Sequence, residues 1–148
     1  MSNQPSSKIK VRPYLQGPGL CGPASLKILL SHFNKDYSEE ELTKLANATC
    51  DAGAEHEGMI AAIKTLGGYV FAKEHGTVEE LEYFVHQEKL PVIIGWFDRD
   101  GDHYSVVIDV TDKNIIVVDP ATDEPERFLE REIFPRIWFD FVGKDNKT

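Results

Sequence analysis

The sequence predicts an α+β fold, with helices in its first part and a mainly antiparallel sheet behind them. Before Pro91, apolar residues recur three and four positions apart; after it, short β-branched runs alternate with turn residues. At 148 residues, 41% of them hydrophobic, the chain fits one domain and can bury a sizeable core.

The opening "MSNQPSSKIKVRP" has no apolar stretch of the secretory type and reads as a flexible lead-in over residues 1–12. A single domain is expected over residues 13–143, with a polar tail at 144–148. The first helix opens at "CGPASLKILL". Pro23 suits the first helical position, where a missing N–H costs nothing. Ala24, Ile28 and Leu29 share a face that Leu26, Leu30 and Phe33 widen, and Asn34-Lys35-Asp36 ends the element. Ser38-Glu39-Glu40-Glu41 has the form of a capping box, followed by Leu42, Leu45 and Ala46 as a buried stripe. A third helix is expected near residues 58–66, stopping at Gly67-Gly68. Thr77-Val78-Glu79-Glu80 is a second capping box, starting a helix with Leu81, Phe84 and Val85 that ends before Pro91.

Beyond Pro91, "PVIIGWF", "HYSVVIDV" and "IIVVDP" read as strands, with "DRDGD" and "TDKN" as the turns between them. "EPERFLEREIF" reads as a short helix or bent strand with an ordinary charged face, and "RIWFDFVG" as one further strand. No repeat or low-complexity tract interrupts this order.

The formal net charge of −9 argues against nucleic acid or an anionic membrane surface as a partner. No apolar run is long enough to cross a bilayer, so membrane insertion is not expected. Only two cysteines occur, Cys21 and Cys50, too few for a disulfide framework or a cysteine-rich zinc site; a cytoplasmic location is the expectation. "DRDGD" lacks the DxDxDG order and the distal Glu of a calcium loop, and His32, His56, His75 and His86 have no metal-like spacing. Neither a metal nor a cofactor is expected.

The chemistry concentrates elsewhere. Cys21 stands just ahead of Gly-Pro at the mouth of an apolar helix, where unpaired N–H groups and the helix dipole stabilise an anion. Cys50 reads as a core or loop residue. His103 begins one strand and Asp119 ends the next, 16 residues on. Direct opposition in one hairpin requires a turn centred on residue 111, inside the polar tract 109–114, and the even separation puts both side chains on one face. "DKN" lies two residues late for that centre, so a bulge or wider loop is needed. If Cys21 packs against His103, an imidazolium and a helix N-terminus together can bring a thiol from about 8.5 down to roughly 3.5–7.5. Asp119 would then hold the imidazole in the right tautomer. The Cys21 N–H and the Gln16 side-chain amide are the candidate oxyanion donors. Trp96 and Tyr104 flank His103, as cleft wall or core.

Gln16, "CGPASLKILL", "PVIIGW", "HYSVVIDV" and "VVDPAT" resemble the papain-like cysteine peptidases, best the double-glycine leader (bacteriocin-processing) peptidases and their free-standing relatives, over residues 14–122. The resemblance implies a papain-like fold, with Cys21, His103 and Asp119 as a catalytic triad and Gln16 completing the oxyanion hole. "GAEHEGMIAAIKTLGG" resembles the family's middle helix, which helps build the substrate side of the cleft. The Gln16-to-Cys21 interval is five residues, one shorter than the resemblance implies. The function expected is a peptidase or amide hydrolase acting on a peptide or protein through a Cys21 thioester. There are two alternatives: an acyltransferase or transglutaminase-like enzyme using the same triad, and a catalytically silent peptide-binding module on the papain-like scaffold.

Overall fold

The computed structural model describes residues 8–98 and 101–138. Four helices come first: α1 (Cys21–Ser31), α2 (Glu39–Leu45), α3 (His56–Thr65) and α4 (Val78–His86). Strands β1 (Val92–Asp98), β2 (Gly101–Val110), β3 (Asn114–Val118) and β4 (Arg127–Glu130) follow, then a one-turn helix α5 (Phe134–Ile137). The strands form one antiparallel sheet in sequence order.

Helix α1 is buried on nearly every side because its sequence is apolar on nearly every side. Ile28 joins the sheet and α4 in one core with Val85, Trp96, Val107, Val117 and Phe134. Leu26 and Leu30 join α2 and α3 in a second with Leu42, Ala46, Met59 and Ala62. A helix held in two cores is a rigid mount for its first residue, Cys21. Lys27 escapes by reaching Asp36 Oδ1 and the Tyr37 carbonyl, both at 2.8 Å.

Local signals hold at the helix starts. Ser38 Oγ accepts from the Glu41 N–H at 3.0 Å, and Thr77 and Glu80 close both halves of a capping box. Pro23 is the third residue of α1 rather than the first; it still falls in the turn whose N–H groups lack intrahelical acceptors.

The sheet resolves two readings that the sequence leaves open and departs from one. The ambiguous "EPERFLEREIF" contributes β4, paired along β3 from Arg127 opposite Val117 to Glu130 opposite Asn114. The expected strand "RIWFDFVG" instead starts as α5, where Pro135 sits in the first turn and Phe134 is fully buried; residues from 139 onward lie outside the described part. The β2–β3 register shifts between Val107 and Asp109, a bulge at Ile108. The Ile108 carbonyl accepts from the Ile9 N–H at 2.9 Å, and Ile9 is buried. Within the stretch read as a lead-in, therefore, the chain packs on the sheet from Ile9. Among the described residues no helix is long and apolar enough to cross a membrane.

Candidate active site

Cys21 is the first residue of α1, preceded by Leu20, which supplies no side-chain cap. Its thiol is free and partly exposed. The approach to it needs glycine twice. Gly19 adopts φ +73°, and a Cβ there would stand 2.0 Å from the Cys50 carbonyl oxygen. A Cβ on Gly22 would meet the Ala54 methyl at 2.8 Å and the Met59 sulfur at 3.0 Å. The segment carrying Cys50 and Ala54 thus runs close beside Gly19 and Gly22. Cys50 itself is an exposed loop residue.

His103 and Asp119 meet, though not as direct opposites. Val118 pairs with Val106, which sets Asp119 beside Ser105, two residues along from His103. The offset by two keeps both side chains on one face, and diagonal neighbours at that spacing remain within side-chain reach. His103 Nε2 lies 2.6 Å from Asp119 Oδ1. Nδ1 is the remaining ring nitrogen, and Cys21 lies close enough to the imidazole to raise its pKa.

The pair is secluded: side-chain exposure is 11% for His103 and zero for Asp119. Burial opposes charge on the imidazole, but hydrogen bonds to Asp119 and Cys21 and their negative charges outweigh it, raising the His103 pKa to about 9. Burial likewise pushes the Asp119 pKa up. The His103 hydrogen bond and charge, the Ala121 N–H and the Arg127 guanidinium overcome this and hold it below its ordinary value. The site therefore favours imidazolium and carboxylate at neutral pH.

Trp96 pairs with His103 across β1 and β2, edge to face at 5.8 Å. It is buried, with its indole N–H donating to Ser105 Oγ at 3.0 Å, so it backs the imidazole from the core. Tyr104 points to the helical core, its hydroxyl 2.6 Å from His56 Nδ1.

Gln16 is brought to the same end of the sheet. Its backbone N–H donates to the Pro120 carbonyl at 2.8 Å, and the next N–H, Gly17, donates to Glu39 Oε2 at 2.8 Å. The side-chain Nε2 donates to the Gly17 carbonyl at 3.3 Å, while Oε1 is buried without a partner.

Two further residues complete the cluster, and neither was legible beforehand. Arg127, on β4, donates through Nη1 to Asp119 Oδ2 at 2.7 Å and to Asp98 Oδ2 at 2.8 Å. Asp98, at the end of β1, reads in sequence as one acid of a solvated turn. Donor atoms of Asp98, His103 and Asp119 lie within 4.8 Å of one another, a spacing that could suit a cation. The Arg127 guanidinium already supplies the positive charge shared by the two carboxylates. An open hollow of about 310 Å³ adjoins the site, lined by Asp98, Gly101, Asp102, His103 and Ala121.

The peptidase C39 family matches residues 19–142. The chain is 32% identical over 118 residues to an uncharacterized protein of Methanothermobacter marburgensis, covering 80% of this chain and 75% of that one. It is 29% identical over 119 residues to the pediocin PA-1 transport/processing ATP-binding protein PedD of Pediococcus acidilactici, covering 80% of this chain but only 16% of that much longer protein. The fold is similar to the peptidase domain of Streptococcus ComA, a bi-functional ABC transporter, at TM-score 0.68 and 24% identity, covering 88% and 92% of the two chains. It is also similar to a double glycine motif protease from an AMS/PCAT transporter, solved in complex with its leader peptide, at TM-score 0.67 and 23% identity, covering 88% and 87%. The α+β architecture is thus that of the papain-like C39 peptidase domains.

Proposed function

The chain belongs to the peptidase C39 family, and from that premise we propose that it is a cysteine peptidase with Cys21, His103 and Asp119 as its triad and Gln16 in its oxyanion hole. The observation that supports it most is the imidazole held 2.6 Å from a fully buried carboxylate, with Cys21 beside it at the mouth of α1. In this reading His103 takes the thiol proton and Cys21 attacks as thiolate. Attack on the peptide carbonyl forms the C–S bond and an oxyanion, for which this reading assigns the Cys21 N–H and the second Gln16 amide hydrogen as donors, the first being directed at the Gly17 carbonyl. Collapse breaks the C–N bond as His103 gives its proton to the leaving amine, leaving a thioester. His103, now neutral, takes a proton from water, whose oxygen releases the acyl group and returns the thiolate. Asp119 fixes the tautomer and balances the imidazolium.

The substrate we propose is a peptide with a Gly-Gly leader junction, as in the double glycine motif relative. Incubation with Gly-Gly leader peptides followed by mass spectrometry tests this. Cleavage after Gly-Gly, unchanged by added amine, is the expected result. Incorporation of the amine would make the protein an acyltransferase, and binding without turnover would make it a silent module.

Gln16→Ala is expected to lower kcat about 100- to 1,000-fold while leaving the pH dependence of Cys21 alkylation unchanged. A hole donor acts on the tetrahedral intermediate rather than on the resting thiol. If Gln16→Ala hydrolyses peptides at the wild-type rate, the oxyanion role passes to another group.

A further inference from the structure

We propose that Arg127 is a positioning residue of the site: clamped from behind by Asp98, its guanidinium fixes Asp119 Oδ2 so that Oδ1 stays on His103 Nε2. This inference rests on the triad reading given above.

The Asp119 side chain is completely buried, so the protein must satisfy both of its oxygens. Oδ1 serves His103 at 2.6 Å and the Ala121 N–H at 2.9 Å. Oδ2 is held by Arg127 at 2.7 Å. A carboxylate turns readily about its last torsion, and a second anchor on Oδ2 stops that rotation. A guanidinium serving Asp119 alone would also drain negative charge away from His103. Asp98 counters this by gripping the guanidinium with both oxygens, Oδ2 at 2.8 Å on Nη1 and Oδ1 at 3.1 Å on Nη2. Trp96 spaces the parts, with the guanidinium 5.0 Å over its ring and His103 against it at 5.8 Å.

The result is a row of alternating charge: Asp98, Arg127, Asp119, His103, Cys21. It draws on β1, β2 and β4, on the residue just past β3, and on α1. Among the described residues Asp102 also lines the open hollow beside His103. Removing one member of such a row shifts the titration of the Cys21–His103 pair in a direction set by the sign removed. Loss of the Arg127 charge leaves Asp119 more strongly anionic in its pull on the imidazolium and removes a cation that favours thiolate; both steps of the pair move to higher pH. Loss of the Asp98 charge leaves Arg127 bound only to Asp119, and both steps move down.

The test is the pH profile of Cys21 alkylation by iodoacetamide, with Cys50→Ser throughout, in the parent protein, Arg127→Gln, Arg127→Lys and Asp98→Asn. Arg127→Gln is expected to shift the profile up by about one pH unit and Asp98→Asn to shift it down by about one. Arg127→Lys, which keeps the charge, is expected to stay nearer the parent than Arg127→Gln. A merely structural role would give no such opposition of sign. Shifts in the same direction, or none, overturn the inference even if the parent shows an ion pair. A parent that titrates as an ordinary thiol overturns the triad reading and this inference with it. Should Arg127→Gln not fold, Asp98→Asn decides, because an Asn can still accept one of the two hydrogen bonds from Arg127 while the charge is lost.

Discussion

Cys21→Ala is expected to abolish peptide hydrolysis, by about four orders of magnitude or more in kcat, with little loss of fold stability. The nucleophile has no substitute nearby: Cys50 is the other thiol of the chain, and it lies exposed in the neighbouring loop. The fold should tolerate the change because Cys21 is only partly buried and alanine favours the first turn of α1. The variant should still bind a Gly-Gly leader peptide, since binding does not need the thioester. Activity measured alongside thermal unfolding checks this. Substantial remaining hydrolysis would remove Cys21 from the mechanism, whereas loss of activity together with the fold would make its role structural.

Asp119→Ala should differ, losing both activity and stability. The buried carboxylate holds His103, Arg127 and the Ala121 N–H together, and its removal strands two charged groups. Breaking one side of a buried ion pair costs about 3–5 kcal/mol, which for a domain of this size lowers Tm by roughly 10 °C. Asp119→Asn should not restore either property fully. Both carboxylate oxygens accept hydrogen bonds, and an amide would turn its NH₂ toward one of those donors. The parent's pH dependence follows from the same pair. The raised His103 pKa contributes stability that is fully present below the unfolded value of about 6.5 and is lost as pH rises through about 9. The lowered Asp119 pKa contributes stability present above about 3.9, lost as pH falls through its lower folded value. Stability from this pair should therefore be greatest between roughly pH 4 and 6.5 and decline on either side. In Asp119→Ala that dependence should flatten. Thermal melts across pH measure it, and an unchanged profile would contradict the ion-pair assignment.

The features legible in the sequence were local ones. Thr77 and Glu80 announce α4 because a cap is set by residues three apart, and Cys21 before Gly-Pro marks the mouth of α1 because proline suits a first turn. An even separation of His103 and Asp119 gives the shared face, since alternation is a property of any strand. What was not legible depends on partners far along the chain. The four residues of β4 read equally as a short helix or a bent strand, and pairing with β3 decides for the strand. Arg127 meets Asp98 from 29 residues away, so neither carries a local signature of the contact. The Ile108 bulge fits the late position of "DKN", but the diagonal offset of His103 and Asp119 is fixed by the whole ladder. At the other end of the sheet, Phe134 enters the core through α5 although its neighbours favour a strand by composition.

The measurement that reaches the chemistry most directly is the rate of Cys21 alkylation against pH, in the parent and in His103→Ala, with Cys50 replaced by Ser in both. An ion pair makes the parent react well below pH 7, at about the pH of an activated thiolate, and moves His103→Ala toward the ordinary thiol value of about 8.5. If both titrate alike near about 8.5, Cys21 and His103 do not share a proton, and the site cannot work as the peptidase described here.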